Sequence, residues 1–443
     1  MSRFDIVIFG ASGYTGKFVV RELAKISNRE KITWAIAGRS KQKLDQVIDS
    51  LSTELGIDLS QIERIIVDIN DEQTVTLMCQ RTRLLINCVG PYRFYGEQVV
   101  QKCVENKTHH LDVSGEPEYL ERMQLKFHEK AEENKVFVVG SCGFDSVPAD
   151  IGILFTQQNF KNELNSVESY LTFDFGDKPA SFNYATWESA VYGFASSKHL
   201  GEIRRQLFKT RLPKPKFKLP PRTNKLGYFY DNDLQKYCMD FMGSDKSVVQ
   251  RTQYFNHDVL NQKPIQYRPY FTIGSALYTL VTILWGLSFS FLANYKFGRS
   301  LLLKFYRFFS FGMASKKETS IDQVVKEKKY FVQTNFIQME GISFKMLFKG
   351  IGFKQEDSEC QQQPDQVIIT EMSGKEPGYV STSKIVLNCA IVLLSESDKI
   401  KINGGVLTPG AAFRNTSLID RLKSDTAANR PNTWLTDYTQ CRT

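Results

Sequence analysis

The chain has 443 residues, 42% apolar and 24% charged, with 57 Lys and Arg against 48 Asp and Glu for a formal charge of +9. That length exceeds one ordinary core and calls for two or three domains, and the composition excludes a disordered chain. The charge excess is modest, so the placement of the cations matters more than their number.

The first element is FDIVIF at 4–9, a strand of branched and aromatic residues. GASGYTG follows, and Phe18, Val19, Leu23 and Ile26 then recur at helical spacing. Gly10, Gly13 and Gly16 therefore occupy a strand-to-helix turn. There, glycine lets the backbone approach a pyrophosphate, and the helix N-terminus offers unpaired N–H groups and partial positive charge. Ser12, Tyr14 and Thr15 complete the turn as candidate cofactor contacts. The spacing is GxxGxxG rather than GxGxxG, so these residues alone leave a plain tight turn open.

KITWAIA at 31–37 is the second strand, and IERIIVDIN holds a third. RLLINCVGPY, HHLDVSG and KVFVVGSCGF hold the fourth to sixth, with helical stretches between them, among them 97–106 and 118–134. Strand–helix alternation over about 140 residues is the pattern of a doubly wound parallel sheet, an α/β fold. The second strand ends in Gly38, Arg39 and Ser40, with Lys41 and Lys43 close by and no acid. An acid there binds the ribose hydroxyl of NAD(H), whereas a guanidinium suits the 2′-phosphate, so NADP(H) is expected over NAD(H). The plain alternative is a solvated surface arginine. Asp68 ends the third strand and would face the adenine side; Cys88, Gly90 and Pro91 end the fourth, at the sheet's carboxyl edge.

A hydride enzyme needs a proton donor near the nicotinamide. Tyr92, Asp112, Glu116 and Asp145 follow strand ends on that edge and are the catalytic candidates, with Cys142 and Ser146 beside them. Each has a plain alternative: Asp145 and Glu116 as helix caps, Cys142 as a small buried residue. His109 and His110 read as structural or exposed. Eight cysteines contain no CxxC pair and no Cys/His spacing for a metal, so they read as free thiols in a reducing compartment. The first strand begins within a few residues of Met1, leaving no room for a cleaved secretory or transit signal, so a cytosolic-side protein is expected.

After residue 150 the pattern changes. VESYLTFDF and SFNYATWES predict strands of a second sheet, YFVQTNFIQMEG, ISFKMLFKG and QVIITEMSG predict antiparallel strands, and YVSTSKIVLNCAIVLLSE predicts a helix. Residues 204–225 carry nine basic residues, no acidic one and four prolines. Residues 269–295 carry no charge, enough for the roughly 20 residues of a span, though Gly, Ser and Thr dilute them. KFGRSLLLKFYRFFSFGMASKK follows, basic, amphipathic and rich in Phe. Three readings stand: an interfacial or hairpin anchor, a single span, and a buried or oligomer-interface helix. The expected partner is a membrane surface, met through 204–225 and 269–312. Nucleic acid is not expected, because no base-reading motif accompanies the cations.

Six motifs, FGASGYTG, AGRS, INCVGPY, LDVSGE, GFDSVPAD and GGVLTPGAAF, occur in this order, within a match that runs from about residue 4 to residue 422. Together they resemble the saccharopine dehydrogenase-like oxidoreductases. The resemblance implies a Rossmann domain at 1–150 and an inserted α+β domain at 151–378. It also implies a return to the first domain at 379–422, followed by a tail at 423–443. A nicotinamide cofactor with its pyrophosphate on the GASGYTG turn comes with it. Relatives of this kind include saccharopine reductases and enoyl reductases acting on lipid-like substrates, and the uncharged segment is similar to that of the lipid-droplet-associated animal branch. The expectation is thus a membrane-associated NADP(H)-dependent oxidoreductase reducing a C=N or C=C bond of an amphipathic or lipid-linked substrate. Its place would be the cytosolic face of a lipid droplet or the endoplasmic reticulum, with a mitochondrial membrane as the alternative. The competing expectation is a non-catalytic subunit of a membrane assembly, and a homodimer is also open.

Overall fold

The computed structural model describes residues 3–176, 182–195, 197–316, 342–354, 363–424 and 436–438. Strands β1 (Phe4–Phe9), β2 (Trp34–Gly38), β3 (Glu63–Ile66), β4 (Thr82–Asn87), β5 (His109–Asp112) and β6 (Phe137–Val139) alternate with helices α1 (Tyr14–Glu30), α2 (Lys41–Leu55), α3 (Glu72–Gln80), α4 (Tyr92–Glu105), α5 (Pro117–Glu133) and α6 (Val147–Asn159). With a late strand, Gly405–Leu407, they form a seven-stranded parallel sheet in the order 3-2-1-4-5-6 and then that strand. Ile6 to Phe9 are buried without alternation, as expected of a strand covered on both faces. β2 starts later than its apolar run, because Lys31 closes α1 in the left-handed region. β1 lies between β2 and β4, so the strand order reverses there and a crevice opens at the carboxyl edge.

The second sheet also has seven strands. β7 (Leu164–Asp174) is followed by β8 (Phe182–Asn183), which pairs separately, and then by β9 (Tyr228–Asp231), β10 (Lys236–Asp240) and β11 (Gln266–Ile273). β12 (Ala314–Ser315) partners β8; β13 (Ser343–Gly352), β14 (Gln366–Lys375), the sheet-closing β15 (Gly405–Leu407) and β16 (Thr436–Tyr438) complete the set. The order is β16-β14-β13-β7-β11-β10-β9, with β7 and β11 parallel and the other neighbours antiparallel. The expected strand YFVQTNFIQMEG lies outside the described residues.

The fold corrects two expectations. SFNYATWES is not a strand beyond Asn183: α7 (Tyr184–Ala195) takes over, because Trp187 and Val191, four residues apart, are both buried on one helical face. The uncharged segment is not one element: Pro269–Ile273 belong to β11, with Tyr270 buried, and the helix begins only at Ala276.

α8 (Ser197–Leu207) and α9 (Asp245–Asp258) precede that helix, α10 (Ala276–Asn294), which is followed by α11 (Lys296–Lys304) and α12 (Tyr306–Phe309). α10 buries Thr279, Phe289 and Ala293 and packs on α7, where Trp187 and Phe289 meet edge to face at 5.3 Å. Its other face exposes Leu277, Leu280, Leu284, Leu287 and Phe291. The Trp285 indole N–H donates to Phe309 O at 2.8 Å, folding the Phe-rich stretch back against the helix.

The basic stretch lies elsewhere. Phe217 is held by Asn165 and Gln266 at the N-terminal ends of β7 and β11, whereas α10 leaves the C-terminal end of β11. Three of its cations are paired inward: Arg204 with Glu121, Lys216 with Glu163, Arg222 with Glu168 and Asp231.

α13 (Thr382–Glu396) returns to the first sheet. It lies in the second stretch long and apolar enough to cross a membrane, Pro377–Lys399, but its apolar residues are buried in the protein. One core joins both sheets, with Ile6 and Ile8 in the same cluster as Phe344, Phe348, Ile385 and Leu393.

Candidate active site

A cleft of about 1890 Å³ runs along the carboxyl edge of the parallel sheet and under the second one. Gly10, Ser12, Gly13, Tyr14 and Thr15 line it together with Arg39, Ser40, Cys88, Gly90 and Pro91. Gly10 has φ +81°, and a Cβ on Gly16 would lie 2.2 Å from Gly10 O, so α1 presses directly on the turn. Gly13 precedes α1, no side chain caps it, and its first turn holds no acid. Ser40 caps α2 and Asp71 caps α3, whereas the N-cap residues of α4, α5 and α6, like that of α1, make no side-chain cap bond. An uncapped N-terminus beside a backbone approached closely by glycines fits a pyrophosphate.

Arg39 is exposed on the cleft rim and makes no hydrogen bond or ion pair among the described residues. Ser40 Oγ accepts from Lys43 N at 3.3 Å and retains its own proton to donate. Both fit a phosphate on the ribose. Asp68 is not on the cleft wall: its Oδ1 accepts from Asn70 N and Nδ2 at 3.0 and 3.1 Å, and the turn this shapes brings Ile69 and Asn70 to the wall instead. Burial pushes the Cys88 thiol up to about 12.

The four acid–base candidates separate. The Tyr92 hydroxyl points inward, donating to Asn87 O at 2.9 Å, and burial pushes it well above its usual range. Asp112 lies beneath the cleft rather than on it, accepting from Ser114 N, Ser141 N and Tyr119 Oη at 3.0, 3.2 and 3.0 Å. Burial raises it to about 6. It braces the turns after β5 and β6. Glu116 lines the cleft, but Arg93 Nε meets its Oε2 at 2.6 Å, and Tyr92 N and Ser189 Oγ bond Oε1 at 3.0 and 3.3 Å. Asp145 is also on the wall, with no hydrogen-bond partner among the described residues, and burial pushes it up to about 6. Neither Glu116 nor Asp145 caps its helix. Cys142 is fully buried and donates to Val139 O at 3.3 Å, while Ser146 pairs with Ser244. His109 Nδ1 accepts from Phe137 N at 3.1 Å, and His110 is buried.

Residues far along the chain complete the wall. Glu376 accepts the N–H groups of Gly378, Tyr379 and Val380 at 2.8, 2.8 and 3.0 Å, forming the tight turn that opens α13. This turn sets the Tyr379 ring edge-on to Tyr14 at 4.5 Å, over the glycine turn. Its hydroxyl accepts from Asn183 N at 2.8 Å, tying α7 to the same point. An acid before Pro-Gly hints at such a turn, but nothing local marks its target.

These features define a Rossmann-type protein with a dinucleotide-binding turn at the switch point of its parallel sheet. The family described as Saccharopine dehydrogenase NADP binding domain matches residues 6–139. The chain is 39% identical over 427 residues to the Saccharopine dehydrogenase-like oxidoreductase of Homo sapiens, covering 95% of each. It is 34% identical over 429 residues to the Lipid droplet localized protein of Caenorhabditis elegans, covering 96% of this chain and 97% of that one. Among solved structures, apo saccharopine dehydrogenase (L-Glu forming) from Saccharomyces cerevisiae superposes with a TM-score of 0.51 at 13% identity, over 98% of this chain and 99% of that one, a likeness of fold alone. The chain belongs to the saccharopine dehydrogenase-like oxidoreductase family.

Proposed function

We propose that the protein is an NADP(H)-dependent reductase that works against a membrane surface on a C=N or C=C bond of an amphipathic or lipid-linked substrate. What carries this reading is the double character of the cleft. Its lining includes the glycine turn and Arg39, and also Phe173, Phe175, Phe194, Met313 and the α10 residues Ser290 and Asn294. The same helix turns an apolar face outward, so an acyl chain has a short path from a bilayer to the cofactor edge.

When bound, NADPH supplies the hydride. The α1 N-terminus takes the pyrophosphate, and Arg39 and Ser40 take the 2′-phosphate. Asp145 gives the proton, because of the four candidates it alone combines a place on the wall with a carboxyl bonded to nothing else among the described residues. Arg93 and Glu116 form a buried pair in the same wall. The membrane contact uses residues 276–312, where Lys296, Lys304 and Arg307 stand among exposed Phe297, Phe305 and Phe308. A lipid droplet surface is the site that the worm relative's name favours. Residues 216–222, tied to the far end of the second sheet, add little to that contact.

The test is a fluorescence titration of the full-length protein with NADPH and NADH, followed by NADPH-oxidation assays on enoyl- and imine-bearing lipids in vesicles. Arg39→Asp is expected to weaken NADPH binding at least about tenfold, since hydrogen bonds to charged groups contribute about 1.5–3 kcal/mol. Turnover of saccharopine with none of any lipid would overturn the substrate class. NADPH binding without turnover of any substrate would favour a second reading, a non-catalytic membrane subunit, which the inward turn of the Tyr92 hydroxyl also favours.

A further inference from the structure

The cleft is too large for one ligand. Its volume of about 1890 Å³ is nearly twice the roughly 1,000 Å³ at the upper end of single small-molecule sites. Arg39 follows β2, on one side of β1. On the other side, past β4, α5 follows β5, and the turn that opens α9 meets the turn after β6, where the Ser244 and Ser146 hydroxyls pair at 2.8 Å. A dinucleotide held by the glycine turn with its 2′-phosphate at Arg39 leaves this second end to the substrate.

The second end is built around a buried acid. Glu121 of α5, only 1% exposed, clamps α8 to α9. Its Oε1 accepts from Arg204 Nη2 of α8 at 2.8 Å and from Ser247 Oγ of α9 at 2.6 Å, and its Oε2 accepts from Arg204 Nε at 2.9 Å. Phe208, just after α8, stacks on Tyr254 of α9 at 4.2 Å and braces the same joint. The Glu121 carboxylate is thereby satisfied, whereas Arg204 lines the cleft with an Nη1 that donates to nothing among the described residues. Lys246 lines the cleft as well, exposed and without a hydrogen bond or ion pair among the described residues. Gln250, one turn further along the same face of α9, also lines the cleft and has no hydrogen bond among them.

The acids nearby are taken or turned away. Glu118, on the cleft wall, meets Arg122 Nε at 3.0 Å, and Glu121 is held by Arg204. Asp245 is 2% exposed and interacts inward with the Ser146 side chain. What remains on the wall is one ammonium without a counter-charge, one guanidinium with donors to spare and one amide. Such a set suits an anionic oxygen group, a carboxylate or a phosphate. Phe173, Phe175 and Phe194 elsewhere in the lining suit an apolar chain.

We propose that Lys246, with Arg204 Nη1 and Gln250, forms an anion subsite that selects substrates whose apolar chain carries a carboxylate or a phosphate ester. The inference rests on the reductase reading of the cleft. These residues position the substrate and set its charge; the hydride and the proton come from elsewhere.

Calorimetric titration of the full-length protein, in the presence of NADP⁺, with octanoate, octyl phosphate and octanol tests the subsite. The alcohol reports what the chain alone contributes, and NADPH is titrated in parallel by fluorescence. Both anions are expected to bind about fivefold more tightly than the alcohol at low ionic strength, and to lose that advantage as salt is raised. Lys246→Gln removes most of the preference, Lys246→Glu abolishes it and Lys246→Arg retains it, with NADPH affinity unchanged in all three. The tighter anion names the group: octyl phosphate points to a phosphate ester, octanoate to a fatty acid. Equal binding of all three ligands, or a preference that survives Lys246→Glu, overturns the subsite. Weakened NADPH binding in Lys246→Gln also overturns it, because the lysine then serves the nucleotide. NADPH-dependent turnover of a lipid without any charge preference removes the subsite alone. A preference that depends on Lys246 in a protein that binds no NADPH upholds the subsite and overturns the reductase reading.

Discussion

A Cβ on Gly16 would meet backbone, Gly10 O at 2.2 Å and Gly10 C at 2.8 Å, so no flexible side chain can yield to it. Gly16→Ala must therefore push α1 off the turn. Overpacking of this kind costs about 1–3 kcal/mol, and the shift also withdraws the helix N-terminus from the phosphates. Urea unfolding and NADPH titration of Gly16→Ala should both show the loss, and an unchanged affinity would refute the phosphate role of the turn. A second residue-scale effect concerns pH. His110 is fully buried, neither ring nitrogen has a hydrogen-bond partner, and burial lowers it to about 3. Its unfolded value is about 6.5, so the unfolded chain binds the extra proton in between. Stability from this residue is intact above that value and declines as pH falls towards 3, by about 1.4 kcal/mol per pH unit. Asp112 and Asp150 work oppositely: raised to about 6, they take up protons in the native state and add stability as pH falls below that. Comparing wild type with His110→Leu isolates the histidine. Between about pH 6 and pH 4 the wild type should lose stability relative to the variant at that slope, and parallel curves would disprove it. The glycine turn was legible in the sequence because it depends on residue type at fixed spacing. The fates of Tyr92, Glu116 and Asp112 were not, because Asn87, Arg93 and Tyr119 claim them only once the chain is folded.

At the scale of elements, α10 and α13 show why hydropathy alone does not locate a membrane contact. α10 and the stretch Pro377–Lys399 that contains α13 are both long and apolar enough to span. α13 is apolar because it covers the parallel sheet, with Ile385 to Leu393 almost wholly buried apart from Asn388. On α10, by contrast, Leu284, Leu287 and Phe291 are 57%, 65% and 65% exposed. The strand expected at SFNYATWES failed for a related reason: aromatic and small residues suit a strand, but Trp187 and Val191 find their partners on α10 only as a helix. Replacing Leu284, Leu287 and Phe291 together by Gln should leave thermal stability nearly unchanged, since exposed sites away from special contacts shift it by about 0.5 kcal/mol or less each. Flotation with anionic vesicles should fall by at least about a hundredfold, because each large apolar side chain contributes about 1.5–3 kcal/mol when it leaves water. Full flotation of the triple variant would remove the membrane role of this face. Trp285→Ala should act differently, loosening α10 from the Phe309 turn and lowering stability even without membranes.

At the scale of the whole molecule, the glycine turn depends on chain that arrives almost 400 residues later. The strand–helix alternation of the first 150 residues was readable, and so was a motif at GGVLTPGAAF, but neither revealed how far the first sheet relies on the last one hundred residues. β15 pairs with β6 at Gly405–Phe137, Val406–Val138 and Leu407–Val139. Phe144 N donates to Thr382 Oγ1 at 3.0 Å and Gly410 N to Asp150 at 2.6 Å. α13 places Ile385, Val386, Cys389, Ala390 and Leu393 in the cluster that holds Ile6 and Ile8. Each large apolar side chain returned to water forfeits about 1.5–3 kcal/mol, so losing this helix alone removes much of the roughly 5–15 kcal/mol by which a folded protein exceeds its unfolded state. A fragment of residues 1–160 carries every residue of the glycine turn and both phosphate-binding candidates after β2, yet it should show neither cooperative unfolding nor NADPH binding. Supplying residues 363–424 as a second chain should restore both in part, because they carry the covering helix, the edge strand and the Tyr379 turn over Tyr14. Near-ultraviolet circular dichroism and NADPH fluorescence on the fragment, alone and complemented, decide the matter. Binding by the fragment alone at full-length affinity would mean that the first domain closes its own core and that the returning segment serves the substrate side only.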